Sequence, residues 1–435
     1  MNIIMENVRS FIGRHNIRLR PLTFLVGENS TGKSTLLAGI AAIKHPRFLT
    51  TRPPFNLPPF DWGGYESIAS YRGGKYGRAK SFSVGYTHLT SNRNEKVVAT
   101  FFGENGQARL SEVMFESVNG AVKVETTDEQ HGVRVTALNS VGEVVFTTGS
   151  PFYREWEDDL SVLWISIFLM QKKLDEEKSI PALGRIDPLI DVRTLEGLVS
   201  SLNDNVLRGG KVISLAPIRS QPKRTYDQLS DDFNPEGDHI PTYLSRIFRE
   251  AGQNKDVLIK ILEPFGQESG LFRQIGVKSL GKGLGDPFQI MVKVDGQAFN
   301  LVDVGYGVCQ SLPLVVQSIV MKDARLMLLQ QPEVHLHPRA QAALGSFFAR
   351  LVAEGQKEFV IETHSDYIVD RVRQEVAKGM IKPDDVAILY FEKKGVETKV
   401  HPIRLDEYGN ILNAPTGYRD FFLREKTELL QRTSR

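Results

Sequence analysis

One cysteine, Cys309, stands in a chain of 435 residues. That excludes a disulfide framework and a cysteine-based zinc site within one chain, and it fits a reducing interior such as the cytoplasm. An excess of one charge is also missing, since 54 Lys+Arg face 52 Asp+Glu for a formal net charge of +2. A dedicated nucleic-acid wrapper does not fit that balance, although a local basic groove does. Long apolar runs are absent. The most apolar window, Leu160 to Met170, is too short to span a bilayer and is flanked by "EDD" and "QKK". The start, "MNIIMENVRSFIGRHN", carries charges early and lacks the apolar stretch of a signal peptide. No internal repeat or low-complexity tract is visible. These absences predict a soluble cytoplasmic protein, long enough for two or three domains or for one large domain with insertions.

What is present begins with "LTFLV" (22–26), a short apolar strand, followed by "GENSTGKST" and the helical "LLAGIAAI". Gly27, Glu28, Asn29, Ser30, Thr31, Gly32, Lys33 and Ser34 fit G-x-x-x-x-G-K-[ST] at every fixed position, and Thr35 continues into the helix. A strand before and a helix after are the context this loop requires. Its backbone N–H groups would cradle phosphates at a helix N-terminus. Lys33 would reach the β/γ-phosphates and the Ser34 hydroxyl would ligate magnesium, so ATP and Mg2+ are the expected cofactors.

Further along, "PRFLTTRPPFNLPPF" (46–60) must be loop. From Ser81 to Gly149 the pattern is that of an antiparallel meander, with Asn105-Gly106 and Asn119-Gly120 as hairpin signals. Residues 153–178 read as a helix with an apolar seam through Trp156, Leu160, Leu163, Ile167, Met170 and Leu174. A core face and a dimer or partner seam both fit that spacing. Residues 179–285 mix helix and loop, and "GVKSLGKGLGDP" (276–287) reads as a flexible boundary. "APIRSQPKRTYD" (216–227) sets Arg219, Lys223 and Arg224 beside Tyr226, a set that fits either a phosphate contact or a solvated loop. From residue 288 the chain reads as α/β, with apolar positions 340, 343, 344, 347, 348, 351 and 352 on one helical face and Gly355 as its stop. The expected division is 1–150, an N-terminal ATPase lobe; 151–285, a largely helical insertion; and 286–435, a C-terminal ATPase lobe.

The order of motifs carries a resemblance. After the phosphate loop come "DVGYGVCQ" (303–310), "LMLLQQPEVHLHP" (326–338) and "IETHSD" (361–366). The set resembles the ATP-binding-cassette ATPases, in the soluble branch of OLD-type, RecF-like and SMC-like heads. The resemblance implies an α/β, ABC-type P-loop head with an antiparallel meander and a helical insertion. It implies that Gly305, Gly307 and Gln310 lie in a signature-like turn facing the γ-phosphate of an opposite subunit, so that ATP is sandwiched in a homodimer or higher homo-oligomer. It implies that Gln330 stands at the metal-binding Walker B acid, Gln331 at the catalytic glutamate, Glu333 in the turn beside the interface and His364 at the γ-phosphate switch. The signature serine is missing, since Asp303 and Val304 precede Gly305. His364 also fits a plain helix cap, and Glu333 and Glu362 are the nearby carboxylates that could replace a missing base.

The two glutamines set the expected chemistry. Glutamine cannot take a proton from water at neutral pH and is a weaker magnesium ligand than a carboxylate. The resembled branch commonly reads Glu-Gln-Pro-Glu here, which makes Gln330 the departure. An engineered trap and a native slow site both remain open for it. No H-N-H, PD-(D/E)xK or TOPRIM pattern is present, and about seventy residues follow His364. Nuclease-less ATPases of this kind resemble sensor subunits of anti-phage systems of the PARIS and Septu types, which implies a separate effector, a nuclease foremost. The alternatives are a RecF-like repair ATPase binding DNA and a nucleotide-locked scaffold with negligible turnover.

Overall fold

The computed structural model describes residues 1–420 except 51–52, 54, 75–76, 91–92, 128–131, 151–169, 172–191, 208–211, 228–231, 250–252, 284 and 321–324. The seam helix of 153–178 therefore lies outside the described residues, apart from Met170 and Gln171; Met170 is buried. The chain divides into two compact units, one of Met1–Leu19, Thr35–Lys211 and Lys393–Lys399, the other of Arg20–Ser34, Val212–Glu392 and Val400–Arg435.

The first unit is built on an eight-stranded sheet in the order β2-β1-β4-β5-β6-β7-β8-β9, antiparallel at each pairing. Its strands are β1 (Asn2–Val8), β2 (Phe11–Arg18), β4 (Ser81–Thr90), β5 (Arg93–Glu104), β6 (Gln107–Ser117), β7 (Gly120–Thr127), β8 (Gly132–Leu138) and β9 (Val144–Ser150). The expected meander is present. Asn105 and Gly106 both take positive φ (49° and 76°), as a two-residue hairpin with the sheet's own twist demands. The second turn sits one residue earlier than expected. Ser117 pairs Gly120, so Val118-Asn119 form the turn and Gly120 opens β7. In the proline-rich loop, Phe55 stacks on Trp62 (5.2 Å) and meets Phe101 edge-on (5.1 Å), which pins that loop to the sheet. Helices α1 (Lys33–Lys44), α2 (Tyr65–Ile68) and α3 (Val192–Leu207) precede the second unit's own helices.

The second unit carries a seven-stranded sheet in the order β10-β14-β15-β3-β16-β17-β18. These are β3 (Leu22–Gly27), β10 (Val212–Leu215), β14 (Leu326–Gln330), β15 (Glu358–Glu362), β16 (Val386–Lys394), β17 (Glu397–Leu405) and β18 (Ile411–Leu412). The five strands from β10 to β16 are parallel. Strands covered on both faces need continuous apolar runs. Leu22, Phe24 and Leu25, Met327 to Leu329 and Phe359 to Ile361 meet that need, each 0–1% exposed. Edge strand β10 is not legible in its short, mixed stretch. A smaller antiparallel sheet holds β11 (Gln274–Ser279), β12 (Phe288–Lys293) and β13 (Ala298–Asn300). "GVKS", expected as flexible boundary, is thus the body of β11, tied to β12 in register.

Helices α4 (Ile240–Arg249), α5 (Gln253–Ser269), α6 (Tyr306–Val320), α7 (Pro338–Ala353) and α8 (Asp366–Ala377) complete the second unit. All seven expected apolar positions of α7 are buried. His337 caps it by accepting from the Arg339 N–H (3.2 Å), Pro338 fits the first turn, and Gly355 (φ 68°) follows the stop. Among the described residues no helix is long and apolar enough to cross a membrane.

Candidate functional site

The phosphate loop leaves β3 through a position that only glycine tolerates. Gly27 has φ 136°, and a Cβ there would lie 2.3 Å from the Phe391 carbonyl oxygen on β16. Ser30 (φ 59°) and Gly32 (φ 98°) then turn the backbone into α1. The Thr31 hydroxyl donates to the Glu28 carbonyl (2.8 Å) and steadies the turn. Glu28, Asn29, Ser30 and Ser34 are exposed, Gly32 is half-buried, and Thr31, Lys33 and Thr35 are buried. The Lys33 ammonium donates to the carbonyls of Gly27 (3.0 Å) and Glu28 (2.6 Å). A lysine has three N–H donors, so one remains for a ligand. Burial lowers its pKa, and the charges of Glu362 and Glu28 oppose that shift.

The parallel ladder brings the other strand ends to this loop. Gln330 pairs Glu362, and Glu362 pairs Leu25, across β14, β15 and β3. The Ser34 hydroxyl donates to Glu362 Oε2 at 2.7 Å, and Glu362 is 6% exposed. Gln330 is half-buried at the end of β14. Gln331 leaves that strand with φ 43°, and its N–H donates to the Glu362 carbonyl (2.8 Å). The following turn aims Glu333 at the next strand end, where its Oε1 accepts from the His364 N–H (2.6 Å). His364 itself is exposed. Burial and the Lys33 charge hold its pKa below the ordinary value, while Glu333 and Glu362 pull the other way. The cap of α8 is Ser365, which accepts from the Ile368 N–H (3.2 Å), so His364 does not serve as the cap.

The signature-like turn is less uniform than its spacing suggests. Gly305 is exposed, and a Cβ there would meet nothing within 4 Å. Gly307 has a packing reason instead, since its Cβ would fall 3.3 Å from Leu271 and Leu336 and 3.4 Å from the His335 carbonyl. His335 meets the Tyr306 ring edge-on (5.1 Å). Gln310 is not on the exposed turn. It is 1% exposed and donates to the Arg219 carbonyl (3.4 Å). Asp303 accepts two hydrogen bonds from Arg224 (2.9 and 2.6 Å), which hold its carboxyl below the usual range.

Arg219 is the residue whose place the sequence did not disclose. It is neither solvated loop nor exposed phosphate contact, but 2% exposed, with Nε, Nη1 and Nη2 lacking hydrogen-bond partners. Burial lowers its pKa to about 10, against the pull of the Glu333 charge, so it remains a cation at neutral pH. Glu333 Oε2 and Gln310 Oε1 are also buried without partners. No signal in the sequence marks it, since the adjacent Ile218 is exposed while Arg219 is buried.

Magnesium fits the donor set around Ser34. It takes oxygen ligands, commonly one or two carboxylates with substrate phosphates and water. Ser34 and Glu362 supply a hydroxyl and a buried carboxylate in contact, with the neutral Gln330 one strand away.

Residues 171–369 match the family described as AAA ATPase domain, and residues 381–429 match a family described as a protein of unknown function, DUF3696. A search of curated proteins finds no match. Among solved structures, an SMC head bound to the C-winged helix domain of ScpA is 12% identical, with TM-score 0.41, covering 93% of this chain and 98% of that one. The SMC head domain from Thermotoga maritima is 11% identical, with TM-score 0.38 and coverages of 92% and 97%. An SMC head with an extended coiled coil, bound to the C-terminal domain of ScpA and derived from Pyrococcus furiosus, is 11% identical, with TM-score 0.40 and coverages of 100% and 99%. Residues 171–369 are thus similar to an AAA ATPase domain, within a chain of mixed α/β fold.

Proposed function

We propose that this protein binds Mg–ATP at Gly27–Ser34, hydrolyses it slowly, and associates with further copies of itself around the bound nucleotide. The observation that carries this reading is the meeting of Lys33, Ser34, Glu362, Glu333 and His364 at the ends of three parallel strands. Ligands of open α/β sheets bind at such carboxyl ends. Lys33 would neutralise phosphate charge. Glu333 would hold the His364 backbone, leaving its imidazole beside the phosphates. Gln331 would orient water without accepting its proton. The exposed, uncrowded Gly305 supports a contact with a second copy. The wider role follows the motif resemblance: an ATP-dependent sensor that gates a separate effector, a nuclease foremost, in anti-phage defence. The neutral pair Gln330 and Gln331 favours a second reading, a nucleotide-locked scaffold, which the rate of phosphate release distinguishes.

Two substitutions test the proposal. Lys33→Ala should weaken ATP binding by at least ~10-fold, the scale of a hydrogen bond to a charged group, while thermal unfolding stays cooperative. Unchanged affinity by calorimetry would remove ATP from this loop. Gly305→Phe should leave ATP binding intact and abolish ATP-dependent association. Light scattering that shows a monomer of the unaltered protein at high ATP concentration would rule out the shared site.

A further inference from the structure

We propose that Glu362, and not the residue at the end of β14, is the anionic protein ligand for the magnesium ion of bound ATP, acting together with Ser34. This rests on the ATP reading above and deepens it.

The geometry is specific. Ligands of an octahedral magnesium lie at ~2.0–2.1 Å, so two adjacent ligand oxygens are ~2.9 Å apart. The Ser34 Oγ and Glu362 Oε2 are 2.7 Å apart. The pair therefore already holds the spacing of neighbouring vertices; a cation between the two oxygens would need the Ser34 hydroxyl hydrogen to turn away from Glu362, with little movement of either heavy atom. Glu362 is 6% exposed, and its backbone carbonyl is fixed by the Gln331 N–H. A buried carboxylate with a fixed backbone loses little freedom on binding a cation.

The other carboxylates near the loop are less suited. Glu333 accepts from the His364 N–H through Oε1, and its charge bears on Arg219. Glu28 is exposed, and its backbone carbonyl, not its side chain, is engaged by Lys33. Gln330 is directly beside Glu362 on the ladder, so both side chains leave the same face of the sheet. Its amide oxygen offers no net charge. The carboxylate needed to offset a divalent ion thus comes from the strand next to the phosphate loop. Among the described residues no group of three or more His, Cys, Asp or Glu is gathered as an all-protein metal site. A magnesium held by one hydroxyl and one carboxylate needs nucleotide phosphates to complete its shell, which makes cation and ATP binding mutually dependent.

The test is calorimetric titration of ATP across a range of Mg2+ concentrations, with no turnover measured. Glu362→Gln keeps an acceptor for the Ser34 hydroxyl, so folding should survive, and thermal unfolding checks it. The expected result is a rise of at least tenfold in the Mg2+ concentration giving half the gain in ATP affinity. ATP affinity in EDTA should stay equal or improve, because a negative charge near the phosphates is gone. Gln330→Ala should leave the Mg2+ midpoint within twofold. A Mg2+ midpoint unmoved by Glu362→Gln, or moved more by Gln330→Ala, overturns the assignment while leaving ATP binding standing. Equal loss of affinity with and without Mg2+ in Glu362→Gln also overturns it, since that marks a purely structural role. No ATP binding by the unaltered protein, with or without Mg2+, overturns the underlying reading as well.

Discussion

The two large sheets of this chain solve the same burial problem in different ways. In the antiparallel sheet, short hairpins join neighbouring strands, so strand ends are used up by turns such as Asn105-Gly106 and Val118-Asn119. In the parallel ladder, each strand must be followed by a crossover. Its carboxyl ends are therefore left side by side, and they carry Gly27, Gln330 and Glu362. The lesson is that chemistry gathers where the connection leaves strand ends free, not where burial is greatest. Both sheets bury long apolar sets, and among the described residues the parallel one brings Lys33, Ser34, Gln330 and Glu362 together at its strand ends.

That contrast can be sharpened by altering a polar strand end. Gln330→Glu should raise ATP turnover by at least ~10-fold, because with Glu362 on the magnesium it sets a carboxylate beside Gln331 that can take a proton from water, and a missing general base typically costs ~10²–10⁴ in rate. ATP affinity at saturating magnesium should change little, because the two side chains are nearly isosteric and the cation offsets the added charge. Phosphate release at saturating ATP and magnesium measures it, and equal rates for the two proteins would move attention to Glu333 as the base.

An intermediate effect is expected in the antiparallel sheet. Gly120 has φ 136°, and a Cβ there would lie 2.1 Å from the Leu138 carbonyl oxygen. Gly120→Ala should therefore destabilise by about 1–3 kcal/mol, the usual cost of a strained backbone position. The melting temperature should fall while the ATP affinity of the folded protein stays the same. A matching loss of ATP affinity would break the division between a supporting sheet and a working one.

The smallest effect concerns Cys309. Burial raises its thiol pKa to about 11, and its Sγ donates to the Leu301 carbonyl (3.6 Å). An acid whose folded pKa is raised binds more protons folded than unfolded above its ordinary value. Its contribution to stability is thus complete at neutral pH and declines as pH rises from the ordinary thiol range towards 11. At pH 8 the native protein should react with a thiol reagent far more slowly than the denatured chain. Equal rates would show that α6 opens readily.

Much of the site was legible because its causes are local. G-x-x-x-x-G-K-S fixes the turn, the lysine and the serine hydroxyl within eight residues. The α7 face follows from a helical period, and Gly355 ends it through its left-handed φ. Gly307 was legible as a close approach, but its neighbours are Leu271, Leu336 and His335. Sequence spacing also grouped Gln310 with the exposed turn, whereas helix α6 carries it one turn further into the core.

What the sequence by itself determined, then, is the phosphate loop, the apolar runs of the parallel strands and the helix that follows "PEVHLHP". Steric limits on φ, together with the strand and helix periods, act over a few residues and need no partner. Only the tertiary structure decided that Glu362 meets Ser34 across a separation of 328 residues, that Arg219 is buried near Glu333, and that β10 joins the ladder beside β14. Those neighbours depend on the register of parallel strands. Parallel register is set by non-local pairing and by what packs on both faces of the sheet, and no short stretch of chain encodes it.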